Sequence, residues 1–146
     1  MTSKIIDTTF DPWQEIQHHQ AQSNLNNKFG ATATFIGSMR DFNDDADVSE
    51  MTLEHYPEMT QRYLEKLEAE AKKKWPALLD CLIIHRVGHI QPADAIVLIA
   101  CWSAHRRAAL DATDWLIEEL KHNAPFWKQE LREDGLRWVE KNTDGT

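Results

Sequence analysis

The sequence predicts an α+β fold in which helices pack against a largely antiparallel sheet, and two patterns carry this prediction. Residues 57–74 and 104–122 repeat apolar side chains at intervals of three or four, the spacing of one buried helix face. Residues 79–87 and 95–102 are short apolar runs separated by Gly, Pro and Asp, which is typical of neighbouring strands. A chain of 146 residues without repeats or linkers fits one domain, so residues 1–146 are expected to fold as a unit.

The first 28 residues form a polar segment rich in Gln, Asn and His, with one short helix expected at residues 11–20. Asp11 can accept the free N–H groups at the helix start, and Pro12 suits a first helical position. Residues 30–37 are small and β-branched with glycine at both ends, which predicts a closely packed strand.

A loop, a strand and a helix are expected next. Residues 40–47 are charged and predict a flexible loop. Strand character resumes at residues 48–56, where alternation places Met51, Leu53 and His55 on one face. Pro57 opens the first long helix, and the apolar stripe of this helix comprises Leu64, Leu67, Ala71 and Trp75.

The second half repeats the alternation of strands and helix. Residues 88–94 are expected to form the turn between the two apolar strands. Ser103 is the predicted N-cap of the second long helix, and Pro125 prevents that helix from continuing. The chain then predicts two short strands and the turn between them, at residues 126–131, 136–139 and 133–135.

Composition excludes several classes of function. The formal net charge of −8 argues against general binding of nucleic acid or acidic membranes. No apolar run approaches the roughly 20 residues of a membrane helix, and the N-terminus lacks a basic-then-apolar signal, so a cytoplasmic location is expected. Neither glycine-rich phosphate-binding motif of the nucleotide folds occurs.

The cysteines and histidines do not predict a metal or thiol site. Cys81 and Cys101 lie in apolar strand runs outside any C-x-x-C pair, so reduced, buried thiols are expected. The alternative is a sulfur-carrying nucleophile, which needs an exposed, polar setting. His85 and His89 are separated by a turn, and structural or solvated histidines are expected rather than metal ligands.

Three segments place cations where a core does not need them: residues 37–40, 103–107 and 121–128. In the second, His105 and Arg106 stand at a helix start, where the partial positive charge of the helix favours anions instead. A sequence that accepts this arrangement can be building a phosphate or carboxylate site. The alternative is that these side chains point into solvent or pair with Asp111 and Asp114.

The third segment contains two lysines on either side of a proline. Lys121 in a last helical turn is favourable and by itself uninformative. Strand alternation puts Lys128 on the same face as Phe126 and opposite to Trp127. A lysine beside an aromatic ring and another cation can have a lowered pKa and serve as a general base or transient nucleophile. The alternative is a surface lysine whose stem covers apolar area.

Five motifs of the chain, three of them outside the cationic segments, resemble the large-subunit family of molybdopterin synthase. The matching motifs are TLEHYPEMT at 52–60, IHRVG at 84–88, SAHR at 103–106, APFWK at 124–128 and RWVE at 137–140. They occur in the family's order and with compatible spacing.

The resemblance implies a sulfurtransferase. A small ubiquitin-like sulfur-carrier subunit with a thiocarboxylate on its C-terminal glycine is expected as partner. Two sulfurs would pass to cyclic pyranopterin monophosphate, giving the dithiolene of molybdopterin. The implied fold is a hammerhead-like α/β arrangement, and the implied assembly is a homodimer within a heterotetramer. No metal or organic cofactor is implied, because the pterin is the substrate.

The resemblance also assigns roles to residues of this chain. Lys121 and Lys128 match the catalytic lysines, with Lys121 near the incoming tail and Lys128 acting on the pterin. The matching substrate-binding residues are Met39, Arg40, His105, Arg106, Phe126, Trp127 and Arg137, the last across a dimer interface. Ser38 departs from the pattern, because some relatives carry lysine there. Two alternatives remain open at this point: an anion- or pterin-binding module without catalysis, and a thiol-dependent transferase that uses Cys101.

Overall fold

The structure is a computed structural model that describes residues 1–25, 27–43, 46–132 and 135–139. Its helices are α1 (Pro12–Gln22), α2 (Pro57–Lys74) and α3 (Arg106–Asn123). Its strands are β1 (Thr2–Ile6), β2 (Ala31–Ser38), β3 (Phe42–Asn43), β4 (Ala46–His55), β5 (Leu78–Arg86), β6 (Gly88–Ile90), β7 (Ala95–Ser103), β8 (Phe126–Arg132) and β9 (Gly135–Val139).

The first sheet has the strand order β1-β5-β7-β2 and is buried on both faces. Its pairings are antiparallel except that β1 runs parallel to β5. Along β5, Cys81 and Ile83 pack under α2 and α3, whereas Leu82 and Ile84 pack toward the segment that contains α1. Burial on both faces explains why β5 and β7 read as continuous apolar runs instead of alternating patterns.

The second sheet has the order β3-β4-β8-β9, and β6 also pairs with β4. Its buried face forms a third apolar cluster, whose members are Met39, Val48, Met51, Leu53, Val87 and Ile90. Phe126 packs against this cluster and also against the cluster beneath α2 and α3. The second sheet is therefore joined to the first through shared apolar contacts, and the end of α3 lies at the junction.

The predicted fold class is confirmed, and α2 has the predicted bounds. The expected inward stripe of α3 is also confirmed, because Ala109, Ala112, Leu116 and Leu120 are all buried. The predicted turn at residues 133–135 was placed partly on residues 133–134, which lie outside the described residues, as does residue 140 of the RWVE motif.

Three short strands were not predicted. β1 lies in the segment that was expected to be polar with one helix, β3 lies in the predicted loop at 40–47, and β6 lies in the predicted turn at 88–94. β1 and β6 pair with strands that are distant in sequence, so tertiary contacts rather than local pattern stabilise them. β3 has only two residues and forms a local hairpin with β4.

The polar helix α1 is held to the first sheet by specific contacts. Asp11 caps the helix by accepting from the N–H of Trp13 at 3.0 Å. His19 Nε2 lies 2.8 Å from the carboxylate of Asp80, and the imidazole stacks on Trp102 with ring centroids 5.2 Å apart. This docking explains how a helix without a buried residue of its own remains part of the fold.

Gly30 offers a test of how closely the loop before α3 packs. A Cβ at this position would lie 2.3 Å from the carbonyl oxygen of Ala104, and the Gly30 N–H donates to the Ser103 carbonyl at 2.9 Å. We expect Gly30→Ala to lower the free energy of unfolding by about 1–3 kcal/mol, measured by urea denaturation. Ser38→Ala, at the exposed last residue of β2, the strand that follows Gly30, should change it by less than about 0.5 kcal/mol. An unchanged urea midpoint for Gly30→Ala would contradict the close contact.

Candidate functional site

The chain turns sharply between Lys121 and Lys128. Lys121 occupies the last turn of α3 and is half-buried. The helix ends at its C-cap, Ala124, whose N–H reaches the Leu120 carbonyl, and Phe126 begins β8 at once. The Phe126 N–H donates to the Ala124 carbonyl at 2.8 Å, which closes the bend. The two lysines therefore stand on opposite sides of a short, hydrogen-bonded turn.

Lys128 lies on the inner face of the second sheet. In β8 it stands directly opposite Leu53 of β4, and Phe126 stands opposite His55. Opposed residues of an antiparallel pair project to the same face, so these four side chains share one surface. Leu53 is buried in the third apolar cluster, and Lys128 is half-buried beside it.

Arg40, Lys121 and Lys128 form one electrostatic group, called here the lysine cluster. Burial lowers the pKa of Lys121, and repulsion from Lys128 and then from Arg40 lowers it further, with Glu118 opposing. From the sequence such a shift was considered for Lys128 only, and the structure shows one for Lys121. A lysine with a lowered pKa next to other cations is suited to proton transfer or nucleophilic attack at neutral pH.

The loop after β2 carries Arg40 toward this group. Met39 is buried in the third apolar cluster, and its N–H donates to the Asp94 carbonyl at 2.9 Å. Its own carbonyl accepts from the N–H of Ala93 at 2.9 Å, so both backbone groups of Met39 are fixed. Arg40 is exposed, with its guanidinium carbon 4.8 Å from the centre of the Phe42 ring. Met39 thus serves as the anchor and Arg40 as the projecting charge.

His85 belongs to the same environment, although the sequence argument gave it only a structural role. Burial lowers its pKa to about 4, repulsion from Lys121 and His55 acts in the same direction, and the hydrogen bond to the Arg86 carbonyl opposes. The imidazole is therefore neutral near pH 7. It stacks on Phe126 with ring centroids 4.0 Å apart. A histidine in an otherwise apolar strand run was the available signal in the sequence.

His105 and Arg106 lie at the opposite end of α3. Arg106 begins the helix, and Lys121 follows fifteen residues later (121 − 106), which corresponds to about 22 Å along the axis. His105, rather than the predicted Ser103, is the N-cap. The Ser103 hydroxyl instead bonds to the backbone of His105, accepting from its N–H at 3.1 Å and donating to its carbonyl. Within one chain these residues do not join the lysine cluster.

The alternative for this helix start, in which the side chains point into solvent or pair with acidic residues of the helix, agrees with part of the structure. Arg107 reaches Asp111 one turn later at 3.4 Å, as an exposed ion pair of small stabilising effect. His105 and Arg106 themselves are exposed, and the first turn of α3 contains no acidic residue. The helix start therefore keeps its unbalanced positive charge at the surface.

The side chains of Trp127 and Arg137, both expected at the substrate, lie outside the described residues, although their backbones form part of β8 and β9.

The prediction of buried thiols is confirmed. Cys81 and Cys101 are fully buried and stand opposite each other on β5 and β7. A hydrogen bond with Cys101, together with burial, raises the pKa of the Cys81 thiol.

Among the residues that the structure describes, no group of three or more His, Cys, Asp or Glu side chains could hold a metal. Within the same residues, no helix combines the length and apolar character needed to cross a membrane.

A cavity of about 800 Å³ opens beside His55. It lies between the end of β1 and the start of α2, and its apolar lining includes Ile5, Ile6, Pro57 and Val87. His55 connects this cavity to the Phe126 ring, because the two ring centroids are 6.2 Å apart. The rest of the cavity lining is polar or charged and comprises Asp7, Thr8, Glu58, Gln61 and Arg62. The cavity therefore presents both apolar and charged surface to a ligand.

The chain is similar to proteins of one family. A family model described as "MoaE protein" matches residues 7–123. The "Molybdopterin synthase catalytic subunit" of Pseudomonas aeruginosa is 46% identical over 140 residues, which cover 96% of this chain and 91% of that protein. The structure titled "Molybdopterin biosynthesis MoaE protein" from Burkholderia ambifaria has a TM-score of 0.80 at 42% identity, covering 97% of this chain and 90% of that one. A molybdopterin synthase structure from Staphylococcus aureus has a TM-score of 0.82 at 31% identity, with coverages of 93% and 95%.

The lowered pKa of Lys121 can be measured by competitive acylation across a pH series, followed by mass spectrometry of the labelled peptides. We expect Lys121 to become reactive at lower pH than the exposed Lys66, because burial and neighbouring cations destabilise its ammonium. Lys128→Met removes one of these cations, so the Lys121 profile should move to higher pH while remaining below that of Lys66. A Lys121 profile that is unchanged by Lys128→Met would show that the two amines do not interact.

Proposed function

The chain belongs to the MoaE protein family, and on this premise we propose that it is the catalytic subunit of a molybdopterin synthase. The proposed reaction transfers two sulfurs in succession to cyclic pyranopterin monophosphate. The sulfur comes from the C-terminal thiocarboxylate of a small ubiquitin-like subunit, and the product is the dithiolene of molybdopterin.

The observation that carries the proposal is the lysine cluster. The pterin brings a phosphate and the partner brings a thiocarboxylate, so two anions must approach each other during the reaction. Cations that are fixed in advance offset this repulsion more effectively in a partly buried site than in water. Arg40 and Lys128 are near enough to Lys121 for their charges to lower its pKa. This proximity supports the binding of one anionic ligand by all three side chains.

The two lysines differ in a way that supports separate roles. Lys121 is half-buried at the helix end, and burial together with repulsion from Lys128 and Arg40 lowers its pKa. We assign to it the contact with the incoming glycine tail. Lys128 projects from a strand beside Phe126, and we assign to it acid–base or electrostatic catalysis on the pterin. Met39, Phe126 and Trp127 are proposed to shape the substrate pocket around them.

A second copy of the chain is needed if His105 and Arg106 serve the same substrate. They lie about 22 Å from Lys121 along one helix, which exceeds the reach of these side chains. In a twofold dimer the start of one α3 can approach the end of the other, because an isologous interface pairs unlike parts of the two copies reciprocally. This supports the homodimer that the family resemblance implies, with Arg137 also proposed to act across the interface.

The remaining parts of the proposal follow from the same premise. The term "catalytic subunit" in the names of the relatives supports a further subunit, and we propose a heterotetramer with one small sulfur-carrier subunit at each end of the homodimer. We propose that the protein acts in the cytoplasm. The proposed reaction uses no cofactor, since the pterin is the substrate. Binding of nucleic acid or membrane is not part of the proposed function, in keeping with the net charge of −8.

We expect Lys128→Ala to abolish dithiolene formation while leaving the fold intact, because the side chain is only half-buried. The assay combines the variant with the thiocarboxylated partner and cyclic pyranopterin monophosphate and measures molybdopterin. Lys66→Ala, which removes an exposed lysine that pairs with its helical neighbour Glu70 at 3.8 Å, is the matched control and should retain activity. Near-normal turnover by Lys128→Ala would count against the assignment.

Cys101→Ser distinguishes the proposed reaction from a thiol-dependent transferase. Cys101 has no exposed surface, and the proposed sulfur arrives on the partner, so the variant should transfer sulfur at about the wild-type rate per folded molecule. The fraction folded is measured by circular dichroism, because a hydroxyl in this buried position is expected to reduce stability. An inactive but folded Cys101→Ser protein would favour the thiol mechanism.

A further inference from the structure

The His85 and Phe126 rings form a face-to-face contact at the junction of the two sheets. Their centroids are 4.0 Å apart and their planes differ by 17°, so the imidazole covers one face of the phenyl ring. His85 belongs to β5 of the first sheet, whereas Phe126 belongs to β8 of the second. The contact therefore joins two sheets that share no hydrogen-bonded strand pair among the described residues.

The His85 side of this contact is rigid. β5 lies between β1 and β7, and His85 is paired with Ile5 on one side and Val97 on the other. Its Nδ1 lies 2.9 Å from the Arg86 carbonyl oxygen, so the neutral ring donates its proton there and its orientation is fixed. The side chain is 8% exposed, which leaves little room for another rotamer. His85 thus presents a fixed flat surface.

The Phe126 side of the contact lies inside the segment that links the catalytic lysines. Phe126 follows Lys121 by five residues (126 − 121) and precedes Lys128 by two (128 − 126). Its backbone begins β8 directly after the bend, opposite His55. A ring fixed at this point determines where the helix end and the strand start lie relative to each other. Loss of the flat support would free the bend on which the spacing of both amines depends.

We propose that His85 is a positioning residue for sulfur transfer: its imidazole supports the Phe126 ring and thereby fixes the bend that brings Lys121 and Lys128 into one cluster. This inference rests on the proposed function for its catalytic consequence, but its structural step concerns this chain alone. The charged or titratable groups around His85 are His55 from β4 and Lys121 from α3, and both disfavour a protonated imidazole. A neutral ring is the form that can lie against Phe126 without adding a further cation.

Two substitutions at the same position separate ring support from simple filling of space. His85→Phe and His85→Leu both remove the hydrogen bond to Arg86 and the titrating group, but only phenylalanine keeps a flat face for Phe126. We expect His85→Leu to lower kcat about 100-fold with little change in KM, since small displacements of catalytic groups have effects of that size. His85→Phe should restore most of the loss.

Competitive acylation reports the surroundings of Lys121 separately from the turnover assay, because it requires neither the partner nor the pterin. In His85→Leu the Lys121 profile should move toward that of exposed lysines, since a loosened bend separates Lys121 from Lys128 and admits water. In His85→Phe it should stay near the wild-type profile. Leu78→Ala, a buried substitution at the far end of β5, is the control for general loss of stability and should leave the profile unchanged.

Phe126→Leu tests the contact from its other side and keeps the proposal open to refutation if His85→Leu does not fold. It should move the Lys121 profile in the same direction as His85→Leu, and the double variant should move it no further than either alone. Equal Lys121 profiles in His85→Phe and His85→Leu, or a Phe126→Leu profile identical to wild type, would overturn the proposal. If the wild-type protein transfers no sulfur, the proposed function fails, while the acylation profiles still decide the role of His85.

Discussion

Like charges held together in a half-buried position are the constraint on which the site depends. The ammonium of Lys121 loses water by burial and meets the fields of Lys128 and Arg40, and both effects oppose its charged form. Such an arrangement persists only where the surrounding structure offsets it. Here Met39, Leu53 and the rest of the third apolar cluster pack beside the cations, and β8 is hydrogen-bonded to strands on both sides.

The fold meets this constraint by placing the site at the junction of two differently built sheets. The first sheet is buried on both faces and provides a rigid base, with His85 next to the last residue of its strand β5. The second carries Lys128 on its inner face. α3 has His105 and Arg106 at its start and Lys121 at its end. One helix thus supplies charge to two places, which suits the proposed dimer, in which each site would draw on two chains.

Local sequence patterns sufficed for part of this architecture. Pro57 and an uninterrupted apolar stripe define α2 within its own residues, so the predicted bounds agree with the structure. Lys121 and Lys128 are candidates of a different kind, because the local pattern left Lys128 open to a surface role and the family resemblance supplied the roles of both lysines. The N-cap of α3 was misplaced by two residues, because Ser103 is still part of β7 and uses its hydroxyl to close the turn at His105.

Several features that escaped prediction depend on contacts between distant parts of the chain. β1 is stable because it pairs in parallel with β5, and β6 because it pairs with β4. His85 has the pattern of a buried strand residue, and nothing near it in sequence indicates that its ring meets Phe126. The distance between His105 and Lys121 follows from the length of α3. The predicted length of this helix already implied that the two residues could not meet within one chain.

The crowding of cations also explains why the charge of Lys121 would respond to a bound anion. Without an anion, burial and repulsion lower the pKa of Lys121. A thiocarboxylate or phosphate that enters the cluster opposes this shift, since an opposite charge at short range favours the ammonium. Binding of the proposed substrates would therefore raise the pKa of Lys121 at the place where sulfur is proposed to be exchanged. The arriving anion would thus couple charge neutralisation to acid–base chemistry at this lysine.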